Sequence, residues 1–70
     1  MSELENALKA LRAARGLTQA ALADRVGVSR KTVNTIENQV FVPSTVLALK
    51  LAQALDVSVH DIFHLSDEDE

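Results

Sequence analysis

Hydrophobic residues recur along this chain at intervals of three and four, the spacing of one face of an α-helix. Glycines and Ser or Thr capping residues separate the apolar stretches. The predicted helices span about residues 7–15, 19–26, 30–38, 45–55 and 59–64. Their apolar faces predict a core of Leu8, Leu11, Leu17, Ala21, Leu22, Val26, Val28, Val33, Ile36, Leu47, Leu51, Leu55, Val57, Ile62 and Phe63. The pattern therefore indicates an all-α, five-helix fold.

A tight turn separates the second and third predicted helices. Gly27 stands where the second helix must end, and glycine adopts the left-handed C-terminal conformation without steric strain. Ser29 follows as a natural N-cap of the third helix. Ala23 is small enough to let the two helices approach each other. These features predict a central helix-turn-helix.

The outer face of the third helix carries the side chains of greatest functional interest. Val33 and Ile36 are three residues apart and form its buried face. The opposite face presents Arg30, Lys31, Asn34 and Thr35. Cations, amides and hydroxyls are the groups that read base edges in the major groove of DNA. An ordinary helical hairpin with a solvated polar face is the structural alternative.

The helix-turn-helix stretch resembles that of the phage repressor and Cro family, often called the Xre family. The matching residues are Gln19, Ala23, Gly27, Val28, Ser29, Val33, Ile36 and Glu37. The similarity continues through Pro43-Ser44, residues 47–52 and residues 61–63, and covers roughly residues 6–63. It implies a compact lambda-repressor-like DNA-binding domain.

The resemblance implies roles for several of these residues. Gln19 matches a residue that donates to a DNA phosphate, next to a helix N-terminus that itself attracts anions. Ser29, Arg30, Lys31 and Thr35 match positions that contact bases or phosphates. Arg30 is the best candidate for reading a base, because a guanidinium can hold O6 and N7 of guanine together. A phosphate contact by Arg30 is the alternative.

Two further features follow from the resemblance. Arg12 and Glu37 match an arginine and a glutamate that pair across the first and third helices, so we expect them to form a structural pair. Residues preceding the first helix are extended in some relatives and pair with the C-terminal segment. In this chain Ser2 with Glu5 is one candidate cap of the first helix, and Asn6 is another. We favour a first helix that begins at about Ala7 and ends at Gly16.

Apolar residues outside the predicted core suggest a dimer interface. One recognition helix reads only a few base pairs, and family members therefore bind DNA as two-fold dimers. The candidate interface residues are Val40, Val42, Val46 and Val59. We expect all four side chains to face solvent in the monomer, and the alternative is that they merely shield a thin core.

The charge distribution agrees with DNA as a partner. The net charge is −3, but Asp67, Glu68, Asp69 and Glu70 supply four of the ten acids. Without them, six acids face seven bases. Between Lys9 and Lys31 there are six bases and one acid, so the positive end of the chain is the helix-turn-helix. We expect residues 1–65 to form one domain and residues 66–70 to be a disordered acidic tail.

The remaining features argue against other classes of protein. The chain has no cysteine, no apolar run near 18 residues and no signal peptide, so we expect a cytoplasmic protein of a prokaryote or phage, associated with the nucleoid and not with a membrane. His60 and His64 have the spacing of two zinc ligands, but a third ligand is missing. We therefore predict no metal site, no cofactor and no enzymatic activity.

We interpret the chain as a sequence-specific transcriptional regulator, expected to be a repressor, that binds double-stranded DNA in the major groove as a homodimer on a palindromic operator. The alternative is a protein-interaction module, such as an antitoxin-type partner-binding protein, that uses the same fold. The basic strip from Lys9 to Lys31 favours DNA, because an interaction module would not need two cations at the start of an exposed helix.

Overall fold

The computed structural model describes residues 3–66, which form five helices and a two-stranded sheet. In chain order the elements are β1 (Leu4–Asn6), α1 (Leu8–Ala14), α2 (Gln19–Val26), α3 (Arg30–Glu37), α4 (Thr45–Leu55), α5 (Val59–Ile62) and β2 (Phe63–Leu65). α2 packs against both α3 and α4, while α5 packs against α4. The five predicted helices are all present.

Hydroxyl caps determine where four of the helices begin. Each cap accepts a hydrogen bond from the backbone N–H three residues further on, which satisfies one of the unpaired donors of a helix N-terminus. The capping residues are Thr18, Ser29, Ser44 and Ser58. At Ser58 the bond is reciprocal, since the Asp61 carboxylate accepts from the Ser58 N–H at 3.0 Å. Because these signals are local, the predicted starts of all four helices are confirmed.

The C-terminal end of the chain differs from the prediction. α5 ends at Ile62, and Phe63 takes an extended conformation with φ −116° and ψ 138°. The next residues form β2, which pairs antiparallel with β1 in the register Leu4–Leu65, Glu5–His64 and Asn6–Phe63. A helix reaching residue 64 was therefore wrong, because a strand partner almost sixty residues away leaves no trace in the local pattern.

The sheet also bears on two other predictions, which concern the residues before α1 and the relation of His60 to His64. The residues before α1 are extended, as in some relatives, and α1 begins at Leu8 after Ala7. His64 lies on β2 and not on a helix with His60, and its Nε2 is 3.2 Å from Glu5 Oε1. The two histidines therefore do not share a helix face as the sequence spacing suggested.

One core fills the space between the helices. Its buried residues are Leu8, Leu22, Ala23, Val26, Val33, Ile36, Leu51, Ala52, Leu55, Ile62 and Phe63. The predicted core lacked Ala23 and Ala52, which are both buried, and it included Ala21, which is partly exposed. A chain with two phenylalanines and no other aromatic fills its core with aliphatic side chains, so buried alanines are where the helices pack most closely.

The strand pairing continues to the two ends of the described segment, Glu3 and Ser66. Ser66, the first residue of the predicted acidic tail, donates its N–H to the Glu3 carbonyl at 2.7 Å and so prolongs the strand pairing. The rest of that tail, residues 67–70, lies outside the described residues.

Within residues 3–66, none of the helices has the length and hydrophobicity needed to cross a bilayer.

The turn between α2 and α3 yields a test of the backbone argument. Gly27 has φ +78°, and a Cβ built there would meet nothing within 4 Å. Gly27→Ala should therefore lower the free energy of unfolding by about 1 kcal/mol through backbone strain alone. Gly27→Asn should lose less, because asparagine tolerates this conformation better. Urea unfolding measures both, and equal stability of the three proteins would show that the left-handed turn is not a constraint.

Candidate nucleic-acid interface

α3 has one buried face and one accessible face. Val33 and Ile36 anchor it in the core, at 0% and 1% exposure. On the other side Arg30 and Lys31 are exposed, and Asn34 and Thr35 are partly exposed. The buried face fixes the helix against α2, so the polar face has a defined direction.

The turn before α3 sets the angle between the two helices. The N–H groups of Gly27 and Val28 both donate to the Ala23 carbonyl, at 2.9 and 3.0 Å. Ser29 accepts a hydrogen bond from the Thr32 N–H at 3.2 Å. Because the Ser29 hydroxyl serves as a cap, any contact it makes with a ligand comes from a group already held in place.

Two polar side chains on α3 also have partners within the helix. Thr35 donates its hydroxyl hydrogen to the Thr32 carbonyl at 2.9 Å. Asn34 accepts a hydrogen bond at Oδ1 from Asn38 Nδ2 at 3.2 Å. These bonds limit the rotamers of Thr35 and Asn34, and they leave the Thr35 methyl and the Asn34 amide nitrogen as groups that a ligand can contact.

Arg12 and Glu37 form a two-bond ion pair between α1 and α3. Arg12 Nε is 2.6 Å from Glu37 Oε2, and Arg12 Nη2 is 3.2 Å from Glu37 Oε1. Arg12 Nη1 also donates to the Leu17 carbonyl at 2.8 Å. The two side chains are 13% and 3% exposed, respectively. A bidentate pair this well buried fixes the position of the last residue of α3 relative to α1.

The pKa of Glu37 reflects two opposing effects. Burial raises the pKa of the carboxyl, but hydrogen bonds from Arg12 and Gln19 lower it. The positive charges of Arg12 and Lys9 lower it further. The partners outweigh burial, so the pKa of Glu37 lies below its ordinary value and the group is ionised at neutral pH. The hydrogen bond from Arg12 to Glu37 correspondingly raises the pKa of the guanidinium.

Gln19 connects this ion pair to the start of α3. Its Nε2 donates to Glu37 Oε1 at 3.0 Å, and its Oε1 lies 3.5 Å from Arg30 Nη1. We call Arg12, Glu37, Gln19 and Arg30 the Glu37 network. It joins α1, α2 and both ends of α3, and it orients the Gln19 amide with its oxygen towards Arg30. The predicted pair of Arg12 and Glu37 is present, but Gln19 and Arg30 were not predicted to join it, because adjacency in space gives no periodic signal.

The four predicted interface valines divide into two groups. Val40, Val42 and Val46 are 77%, 60% and 63% exposed. Val59 was expected to face solvent, but it is partly buried and packs against the core, because the single turn of α5 lies between α4 and the sheet. Leu49, which was not among the predicted interface residues, is 55% exposed. Leu49 lies three residues after Val46 on the same face of α4, and that spacing was the available signal.

The described residues offer little to other ligands. Within residues 3–66, the His, Asp and Glu side chains nowhere gather in a group of three that could hold a metal ion. The grooves on the surface of residues 3–66 are open to solvent, including the one bordered by Val46, Leu49 and Val59. The accessible face of α3 is therefore the best candidate for a functional site.

Comparison with known sequences places the chain among helix-turn-helix proteins. The sequence profile of a helix-turn-helix family, HTH_3, matches residues 8–62. An uncharacterised HTH-type transcriptional regulator of Bacillus subtilis, YgzD, is 43% identical over 65 residues, which are 93% of this chain and 98% of that protein. The antitoxin HipB of Escherichia coli is 33% identical over 58 residues, covering 83% of this chain and 62% of HipB.

Solved structures agree with the sequence comparison. The restriction-modification controller C.AhdI from Aeromonas hydrophila superposes with a TM-score of 0.74 at 41% identity, covering 77% of this chain and 82% of C.AhdI. The P22 c2 repressor, solved in complex with a synthetic operator, gives a TM-score of 0.72 at 33% identity, with 74% and 79% coverage. The expected lambda-repressor-like five-helix fold is confirmed.

The ion pair predicts how stability depends on pH. Glu37→Gln leaves the partly buried Arg12 without its counter-charge and should lower the free energy of unfolding by about 3 kcal/mol at pH 7. Since the pKa of Glu37 is lower in the folded state, the pair stabilises the fold above about pH 4.3, the ordinary pKa of a glutamate. That stabilisation is lost as the pH falls through the folded-state pKa. Urea unfolding at pH 7 and pH 3 should therefore show a smaller difference between the two proteins at pH 3.

Two variants serve as controls. Asp24→Asn removes an exposed carboxylate on α2 and should change stability little at either pH. The double replacement Arg12→Met with Glu37→Leu should recover most of the stability lost by Glu37→Gln, because it removes both charges. An equal loss for Glu37→Gln at pH 7 and pH 3 would contradict the role of the ionised carboxylate.

Proposed function

This chain belongs to the Xre and Cro type of helix-turn-helix family, whose members are DNA-binding transcriptional regulators, and we propose that it is a repressor that binds a palindromic operator as a homodimer. The observation that carries the proposal is the accessible face of α3, where two cations open a helix whose opposite face is anchored in the core. Such a protein acts in the cytoplasm of a prokaryotic or phage-infected cell, on the chromosome.

α3 is the recognition helix in this proposal and enters the major groove with its N-terminal end first. Arg30 reads guanine through O6 and N7, while Asn34 and Thr35 contact neighbouring base edges. Lys31 and Ser29 bind phosphate. Phosphate contacts set the register on the duplex, and base contacts supply the specificity.

Gln19 supports this arrangement in two ways. One of its amide hydrogens is donated to Glu37, and the second can be donated to a phosphate at the N-terminus of α2. Its oxygen lies beside Arg30 and restricts the guanidinium before DNA arrives. Ordering a free arginine side chain opposes binding by about 1 kcal/mol, so a partly ordered Arg30 favours tighter binding.

A homodimer would place two recognition helices on successive turns of the duplex, about 34–36 Å apart. Val40, Val42 and Val46 are exposed, and together with the partly buried Val59 they supply the apolar surface for the contact. Leu49 extends the surface along α4. Monomeric proteins rarely expose large contiguous apolar patches, and in a two-fold contact each residue meets its own copy or a near neighbour.

The second candidate function is a regulator that also binds a partner protein, as an antitoxin does. The resemblance to HipB and the exposed Val40, Phe41 and Val42 favour it. The two candidates differ in what occupies the apolar surface: a second copy of this chain in the first, and an unrelated protein in the second. The oligomeric state of the purified protein discriminates between them.

Salt dependence tests the proposed DNA contacts. About four to eight phosphate contacts per dimer should give a slope of roughly −4 to −7 when the logarithm of the binding constant is plotted against that of the salt concentration. The binding constants come from fluorescence anisotropy with random duplex and with a duplex selected from a random pool. A slope near zero would exclude the proposed binding mode.

Arg30 and Lys31 are neighbours of similar charge that should behave differently. Arg30→Ala should lose about 1–3 kcal/mol on the selected duplex and relax the preference at one base pair per half-site. Lys31→Ala should weaken selected and random duplex alike and reduce the salt slope by about one per recognition helix. If Arg30→Ala weakened both duplexes equally, Arg30 would be a phosphate contact.

The dimer is tested on exposed positions, so that the fold is preserved. Val42→Glu combined with Val46→Glu places like charges at the proposed two-fold contact and should give folded monomers in sedimentation, with weaker binding to the selected duplex. The control, Ala10→Glu combined with Ala13→Glu, adds the same charge at exposed positions of α1 and should remain dimeric. A dimeric Val42/Val46 variant would place the interface elsewhere.

A further inference from the structure

Asn6 joins three parts of the molecule through one side chain. Its backbone is the last residue of β1 and lies opposite Phe63 of β2. Its Nδ2 donates to the Ile36 carbonyl at 3.0 Å, and its Oδ1 accepts from the Leu8 N–H at 3.1 Å. The same amide group therefore accepts a hydrogen bond from the first residue of α1 and donates one to a carbonyl at the end of α3.

The Ile36 carbonyl belongs to the last turn of α3, where carbonyls have no partner in the regular helical pattern. It also accepts from the Gln39 N–H at 3.0 Å, in the turn where Gln39 takes φ +63°. The neighbouring residue is Glu37, which Arg12 holds from α1. The end of α3 is thus attached at two adjacent residues, to α1 through Glu37 and to the sheet through Ile36.

We propose that Asn6 is a positioning residue for DNA binding, which couples the β1–β2 sheet to the orientation of α3. The inference rests on the proposed function, since it assumes that α3 reads the major groove. A change in the strand pairing, at a site that need not touch DNA, then alters how well the reading face fits its sequence. Random duplex, bound mainly through phosphates, is less sensitive to the angle of α3.

The side chain of asparagine suits this position because it carries a donor and an acceptor at one distance from the backbone. Aspartate has the same shape but, when ionised, only acceptors. Asn6→Asp therefore keeps the bond from the Leu8 N–H and replaces the bond to the Ile36 carbonyl by a repulsive contact between oxygens. Asn6→Ala removes both bonds.

The experiment compares specific binding, random binding and local structure in the full chain. Anisotropy titrations use the selected duplex and a random duplex for wild type, Asn6→Asp and Asn6→Ala. Gln53→Gly is the control: it lowers helix stability at an exposed position of α4, with a typical loss of about 0.5–1 kcal/mol, and it removes no contact of α3 or of the sheet. Amide hydrogen exchange of Gln39 in the DNA-free proteins reports on the end of α3 directly.

Asn6→Asp should bind the selected duplex about three- to tenfold more weakly, in line with the loss of one hydrogen bond, and should bind random duplex within about twofold of wild type. Its Gln39 amide should exchange faster, and Gln53→Gly should resemble wild type in all three measurements. Unchanged Gln39 exchange in Asn6→Asp, or losses of selected-duplex binding no greater than those of Gln53→Gly, would overturn the role of Asn6. If wild type itself failed to prefer any duplex, the proposed function would fail, while the exchange data would still decide whether Asn6 holds α3.

Discussion

The orientation of α3, the proposed recognition helix, depends on one buried carboxylate, that of Glu37. It accepts two hydrogen bonds from Arg12 and a third from Gln19, and these partners keep it ionised although burial alone would favour protonation. An unpaired charge at this place would be strongly unfavourable, so the helices that supply the partners must keep their arrangement. The same interaction that stabilises the fold thus fixes the direction of the polar face of α3.

A directional interaction such as this ion pair matters in a domain of this size. A domain of about 60 residues buries only about 60% of the surface that its unfolded chain exposes, and here the buried core consists of aliphatic side chains and one phenylalanine, Phe63. A thin aliphatic core resists sliding of short helices weakly, and α3 has only eight residues. Directional bonds at its end, from Arg12 and from Asn6, add the geometric definition that packing alone does not supply.

Helix bounds and helix faces that depend on residues close together in the sequence could be predicted. The bounds of α2 and α4 follow from Thr18, Gly27 and Ser44, whose roles are local. The polar face of α3 follows from the spacing of Val33 and Ile36. Contacts between segments that are far apart in the sequence could not be predicted from periodicity. The β2 strand, the partly buried position of Val59 and the bond from Asn6 to Ile36 all depend on the two ends of the chain meeting. The Arg12–Glu37 pair was expected only because relatives resemble this chain, and its extension to Gln19 and Arg30 required coordinates.

The energetic coupling between Glu37 and Arg30 in DNA binding can be measured with a double-mutant cycle. Arg30→Ala is introduced into wild type and into Glu37→Gln, and binding to the selected duplex is measured at about 15 °C, near the stability maximum of a typical domain. If the Glu37 network presents Arg30, the loss caused by Arg30→Ala should be smaller by at least about 0.5 kcal/mol in the Glu37→Gln background. Equal losses in both backgrounds would show that Arg30 reads DNA independently of Glu37.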